Sequence, residues 1–303
     1  MLTEEQAPSF PPVRQLGPAD LSRCITLAAD RGWAPERAKW SLLLTASEVF
    51  GADAPDGHGL AGSVTLTRWG PELAAVGMML VAARYARRGL GAALMRHLLR
   101  AAGEDATVTL YATDMGRPLY EKLGFTAVRG NVSFMGKFRP EPGRGARRAA
   151  SRGPNGRVRP AAEADQPAIL AVDRAAFGAD RGRILTRLPS FAEQIAVFDP
   201  GNGVTGTGIT GYAAAWRNGP ASTVIGPLVA PDGAAARQLI TELAVRAPTP
   251  VRLDLDPDRT ELPGWAQARG LEPVARTVVM AYGPAAPVGA PERLFTPISV
   301  ALA

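Results

Sequence analysis

Val76-Gly-Met-Met-Leu-Val81, followed by Ala82-Ala-Arg-Tyr-Ala-Arg-Arg-Gly-Leu-Gly91, is the stretch on which the reading of this chain turns. The first six residues are an unbroken apolar run, as in a buried strand. From Ala92 onward, Leu94, Met95, Leu98 and Leu99 recur at helical spacing. A buried strand that enters a basic Gly-x-Gly turn and then a helix brings several backbone N–H groups and the positive helix end to one point. Gly89 and Gly91 remove side chains that would block an approaching anion, and Arg84, Arg87 and Arg88 add charge around it. The stretch reads as a cradle for a pyrophosphate. Glycine at a strand-to-helix turn is weak evidence by itself, because any tight turn favours it.

A second block, Leu110-Tyr-Ala-Thr113 with Gly116-Arg-Pro-Leu-Tyr-Glu-Lys-Leu-Gly-Phe125, makes the first specific. Together they resemble the GNAT N-acetyltransferase superfamily, whose acetyl-CoA loop has the form Arg/Gln-x-x-Gly-x-Gly and whose later helix carries Leu-Tyr-x-x-x-Gly-Phe. The resemblance implies acetyl-CoA as co-substrate, no metal, and transfer of an acetyl group to an amine. It implies that backbone groups of Met79, Leu80 and Val81 align the pantetheine like an added strand, while the amides of Arg87, Arg88, Gly89, Leu90, Gly91 and Ala92 hold the pyrophosphate. It places Tyr120 where such enzymes protonate the leaving thiolate; a ring packed in the core is the alternative. Ala86 stands where the family has Arg or Gln, and Ala83 where proline is frequent. Because main-chain amides make most of the cradle, Arg87 or Arg88 is expected to supply the missing anchor.

The chain has 303 residues, 46% of them hydrophobic, enough for two modest cores. Its dividing segment runs from Arg139 to Pro160, dense in Gly, Pro and Arg and without apolar periodicity. Seven arginines and Glu141 give that segment a surplus equal to the formal net charge of +6 for the whole chain. No aromatic residues interleave with these arginines, so a solvated tether is expected and no nucleic-acid partner. The expected organisation is a catalytic domain over 1–139, a linker over 140–156 and a second domain over 157–303. The lone Cys24 excludes an intramolecular disulfide and falls on the apolar face of a helix. An acidic N-terminus and the lack of a bilayer-length apolar run predict no membrane partner and a cytoplasmic protein.

The first half reads as a strand at 13–16, helices over 20–29 and 36–49, a Gly-rich loop over 51–62, and a hairpin of strands at 62–68 and 73–81. A helix over 90–101, a strand at 107–112, a helix at 118–123 and a strand near 128–138 complete a mixed α/β order. The second half repeats it: a strand at 157–160, one helix over 166–188, strands at 194–198, 211–216 and 223–229, a helix over 234–245, a strand at 251–255, a short helix near Trp265 and a strand at 274–282. The turn Val229-Ala-Pro-Asp-Gly233 lacks the Arg-x-x-Gly-x-Gly pattern. This half resembles the YitH/HolE-type C-terminal domain of tandem GNAT proteins, which implies a degenerate domain without acetyl-CoA binding. Gly201-Asn-Gly-Val-Thr-Gly206 fits Gly-x-Gly-x-x-Gly but opens no helix, so it reads as a loop.

Glu72, Glu48 and Asp114 are the acids near the expected reaction centre, and none stands out as a base; a water chain or an amine arriving neutral remains open. His58 and His97 read as surface residues, and no metal-ligand spacing occurs. Trp33, Trp40 and Phe50 are candidates for an aromatic wall of the acceptor site or for core. The expected acceptor is the amine of a small molecule, with a protein amine and a non-catalytic acyl-CoA sensor as alternatives.

Overall fold

The computed structural model describes residues 10–141, 156–201, 208–258, 261–284 and 289–302, and the backbone of 152–153. The rest of the expected linker, and the expected loop beyond Gly201, lie outside the described residues. In the first half the elements are β1 (Arg14–Leu16), α1 (Leu21–Asp30), α2 (Arg37–Ala46), β2 (Glu48–Asp53), β3 (Leu60–Arg68), β4 (Leu73–Val81), α3 (Leu90–Ala102), β5 (Thr107–Ala112), α4 (Arg117–Lys122) and β6 (Thr126–Gly136). In the second they are β7 (Arg152–Gly153), β8 (Gly156–Pro160), α5 (Gln166–Phe177), α6 (Gly182–Leu185), α7 (Leu188–Phe191), β9 (Ala192–Asp199), β10 (Gly211–Asn218), β11 (Ser222–Val229), α8 (Gly233–Ala244), β12 (Val251–Leu255), α9 (Leu262–Ala268), β13 (Glu272–Tyr282) and β14 (Leu294–Thr296).

Both halves start with one device. Arg14 forks onto Asp20 (2.8 and 3.1 Å), which also accepts the Gly17 N–H (3.1 Å) and so fixes the entry to α1. Arg159 forks onto Asp165 (2.6 and 2.8 Å), which accepts the Ala162 N–H (2.7 Å) ahead of α5. Bidentate guanidinium–carboxylate pairs fix geometry as well as charge.

The strands form one 14-stranded mixed sheet in the order β1-β2-β3-β4-β5-β13-β6-β12-β11-β10-β9-β8-β7, with β14 paired to β11 off this path. The last long strands of the halves are exchanged: β13 lies between β5 and β6, and β6 pairs with β12. Neither half completes its sheet from its own sequence. Helices α1, α2 and α5 to α7 cover one face, and α3, α4, α8 and α9 the other.

Two expectations are corrected, and one strand is new. The second helix stops at Ala46, where Ser47 turns extended, and Glu48–Asp53 is a strand rather than helix and loop. The long helix expected over 166–188 breaks at Gly178, which takes φ +85°, a conformation that disfavours other residues; two single-turn helices follow. Strand β14 was not anticipated.

Candidate active site

The site begins with a break in strand pairing. Strand β3 pairs with β4 at Gly62↔Val81 and Ser63↔Leu80 and resumes at Thr65↔Gly77, so Val64 faces both Met78 and Met79. Met78 takes φ +45° in this bulge. A bulge bends and twists its strand, and β4 pairs with β5 only from Leu73–Ala75 to Thr107–Thr109. Beyond Ala75 the two diverge, and β5 continues against β13 through Leu110, Tyr111 and Ala112. The β5-facing edge of Met79, Leu80 and Val81 is left without a strand partner among the described residues.

The cradle lies at the end of this wedge. Arg87 and Gly89 take φ +62° and +83°, and α3 has no side-chain cap. Among the described residues none of the amides of Arg87, Arg88, Gly89, Leu90, Gly91 and Ala92 has an acceptor. Consecutive unpartnered N–H groups at a helix start form an anion-binding concavity. A Cβ on Gly91 would sit 3.1 Å from Met79 Cε and 3.3 Å from Leu119 Cδ2, so side-chain bulk there would narrow the space between cradle, β4 and α4. Arg84 is committed elsewhere: it donates to Asp56 (3.1 Å) and to the His58 carbonyl (2.8 Å) and lies over the Tyr85 ring. Arg87 and Arg88 are exposed and make no ion pair among the described residues.

Tyr120 lies on α4 next to Leu119, which touches the start of α3. Its ring meets Phe125 edge-on at 5.9 Å. Burial pushes the phenol up to about 12, and its hydroxyl makes no hydrogen bond among the described residues. It is therefore protonated throughout the neutral range and free to donate.

The opposite face of the central strands holds residues that the sequence reading missed. By register, Arg252, Asp254, Ser133, Asn131, Thr277, Arg129 and Tyr111 share the α1/α2 side of β12, β6, β13 and β5. Asp254, Ser133 and Asn131 are buried, with Ser133 donating to Asp254 (2.5 Å) and Asn131 to Thr277 (3.1 Å). The signal was present as polar/apolar alternation in Arg129-Gly-Asn-Val-Ser-Phe134 and Arg252-Leu-Asp-Leu-Asp256, a pattern that ordinarily marks a solvent face. Here helices of both halves flank that face. Lys39 of α2 reaches over Trp216 of β10 (5.4 Å) and pairs with Glu36 (2.5 Å). Burial pulls the Lys39 amine down, opposed by Glu36. A cavity of about 180 Å³ lies there, bordered by Glu36, Lys39, Leu42, Trp216, Ile298 and Leu302.

The three aromatic candidates do not form one wall. Trp40 is fully buried, Trp33 is 42% exposed, and Phe50 is on β2 facing the other side of the sheet, edge-on to His97 at 4.8 Å. His97 is thus half-buried, not a surface residue, while His58 is exposed. Glu48 is held by Arg68 (2.6 Å), and Glu72 and Asp114 are exposed. Cys24 is buried, its thiol pushed up to about 12 by burial. Among the described residues no cluster of three or more His, Cys, Asp or Glu could hold a metal, and no helix is long and apolar enough to cross a membrane.

The second half has the corresponding wedge, and it is filled. Strand β11 pairs with β12 only at Thr223↔Val251 and Val224↔Arg252, and beyond that β14 pairs with β11 at Leu228 and Val229. At the start of α8 the Asp232 carboxylate accepts the Ala235 N–H (2.8 Å). The helix end that could face a phosphate already carries a negative charge.

Comparison with known proteins assigns the chain that carries this bulged strand, wedge and uncapped helix start to the GNAT acetyltransferases. Residues 14–125 match the acetyltransferase (GNAT) family and residues 169–296 an acetyltransferase (GNAT) domain. The chain belongs to the GNAT superfamily as a tandem protein and is an N-acetyltransferase. It is 28% identical over 245 residues to the uncharacterized N-acetyltransferase YitH of Bacillus subtilis (strain 168), covering 80% of this chain and 81% of that one. A GCN5-related N-acetyltransferase from Sphaerobacter thermophilus shares the fold with TM-score 0.62 at 18% identity, covering 92% and 99% of the two chains. So does a tandem GNAT protein from the clavulanic acid biosynthesis pathway, with TM-score 0.60 at 16% identity over 90% and 99%.

Proposed function

We propose that the chain transfers the acetyl group of acetyl-CoA to the primary amine of a small molecule by direct attack in a ternary complex, with the reaction confined to the first half. The observation that carries this reading is the wedge between β4 and β5, which ends in six amides without acceptors. The residues fit the co-substrate. A diphosphate matches the amides of Arg87 to Ala92, with Arg87 and Arg88 free to add charge in place of the anchor missing at Ala86. The unpaired edge of Met79, Leu80 and Val81 suits an extended pantetheine arm.

When bound, acetyl-CoA supplies an activated acyl carbon and a thiolate leaving group. The β4 edge orients the thioester and offers an N–H to its oxygen, which gains charge during attack. Tyr120 donates the proton at its hydroxyl to the departing sulfur, and the proton that the attacking nitrogen loses returns through water to the phenolate, so that the products are amide, thiol and the restored phenol. Burial makes the phenol a weaker acid, and a thiolate in the same apolar surroundings is destabilised too, so the proton affinities stay comparable. The acceptor enters from the polar face, where helices of both halves flank the exchanged strands.

The test is thiol release from acetyl-CoA over a panel of polyamines, aminoglycosides, amino acids and peptides. Turnover with small amines supports the reading. Turnover with peptides alone would assign a protein acceptor, and binding without turnover would leave an acyl-CoA sensor.

A further inference from the structure

We propose that the acceptor amine carries a carboxylate and that Arg129 grips it. This rests on the transferase reading and adds the acceptor's chemistry to it. Lys39, Arg252 and Arg181, cations along the polar face between the halves, already have partners. Lys39 donates to Glu36, with both side chains 9% exposed. Arg252 donates to Asp254 (2.9 and 3.1 Å) and to Ser133 (3.1 Å). Arg181 is 2% exposed and forks onto Asp173 (2.5 and 3.0 Å), whose carboxylate also takes the Tyr212 hydroxyl.

Arg129 differs. Its side chain is 37% exposed, and its closest carboxylate, Asp256, is 3.6 Å from Nη1. That is longer than a hydrogen bond, so no carboxylate among the described residues takes a full hydrogen bond from this guanidinium, whose other polar neighbour is the Tyr111 hydroxyl. A planar fork of N–H donors on a water-accessible arginine beside a groove is the group that best matches a planar carboxylate.

Its place in the sheet fits such a task. Tyr111, Val279 and Arg129 stand directly opposite one another on β5, β13 and β6. Tyr111 lies two residues past the last β4–β5 pair, on the wall of the wedge. Neighbouring strands are about 4.8 Å apart, so Arg129 starts two strand widths from that wall, and its side chain reaches toward the Tyr111 hydroxyl. A carboxylate held there leaves roughly one strand width, about 5 Å, for an amine to reach the wedge. A dianionic phosphate fits less well, because Asp254 and Asp256 border the same position and would repel the second charge.

The test compares amines that differ only in the carboxylate, lysine against cadaverine and ornithine against putrescine. With acetyl-CoA and the full chain, kcat/KM should be about 100-fold higher for the amino acids, the size of effect expected of a charge-assisted bidentate contact. Arg129→Ala should raise KM for lysine and ornithine by about as much, change the diamines little, and leave the affinity for acetyl-CoA as in the wild type. Calorimetric titration of lysine into the CoA-saturated protein gives a readout without turnover: heat is expected for the wild type and none for Arg129→Ala. Equal use of the diamines, equal loss for both classes in Arg129→Ala, or lysine heat unchanged by that substitution would overturn the assignment. Failure of the transferase reading shows separately, as absence of acetyl-CoA binding.

Discussion

Between β4 and β5 the sheet parts and stays open; between β11 and β12 it parts in the same way and is filled by β14. The helix that follows each wedge differs in parallel. Helix α3 begins at Gly89 with φ +83° and leaves its first amides without acceptors, whereas α8 begins at Asp232, whose carboxylate covers one of them. The same strand-turn-helix geometry thus gives an open wedge or a closed structural unit according to two local choices: what pairs with the exposed strand edge, and what sits at the helix start. In the second half a protein strand takes the place proposed for a pantetheine arm in the first. The segment after β14 then crosses to the first half, where the Ala301 carbonyl packs so closely on Gly77 that a methyl there would overlap it.

The strongest way to break this comparison is to carry the second helix start into the first. Gly89→Asp puts a carboxylate at the start of α3, as Asp232 does for α8 but on a backbone with φ +83° that disfavours a side chain, and it should weaken acetyl-CoA binding by about 100-fold or more through charge repulsion and local strain. Equilibrium titration checks it, with circular dichroism to confirm that the fold survives. Next in size, Tyr120→Phe should lower kcat by about 100-fold while acetyl-CoA affinity holds. A rate unchanged by Tyr120→Phe would reduce the residue to a packing role.

Two smaller effects sharpen the comparison at the level of stability. Asp20 is held near 2 by the Arg14 fork, against an ordinary 3.8. A depressed carboxyl contributes stability that is present above about pH 4 and lost as pH falls through about 2. Asp20→Asn should therefore cost about 1–2 kcal/mol at neutral pH, the shift being discounted for the partial exposure of Arg14, and should flatten the acid limb of denaturant melts. Asp165, held low by the Arg159 fork, should show the same sign in the second half. Smallest is Asp232→Ala, which removes a helix cap and should cost about 1 kcal/mol without creating a second acetyl-CoA site, because β14 still fills the wedge.

Much of this was legible in the sequence because it is local. The run from Val76 to Gly91 carries strand, turn and helix start within sixteen consecutive residues, and the absence of that pattern at Val229–Gly233 marked the closed half. Features decided by distant partners were not. Strand β2, Glu-Val-Phe-Gly-Ala-Asp, follows α2 with no Pro or Gly at the junction, and only its pairing with β1 and β3 identifies it. The exchange of β6 and β13 joins residues far apart in the chain, for which periodicity holds no signal. The face proposed for the acceptor was hidden for the same reason. Arg129, Asn131 and Ser133 alternate like the solvated face of a strand, and it is the packing of helices from both halves that turns this face into a groove.

The most direct measurement is the stoichiometry of acetyl-CoA binding by calorimetry on the full chain, for the wild type and for Gly89→Asp. One site per chain, lost in Gly89→Asp, is the predicted result. Two sites per chain, or one site that survives Gly89→Asp, would contradict the assignment of binding to the open wedge of the first half.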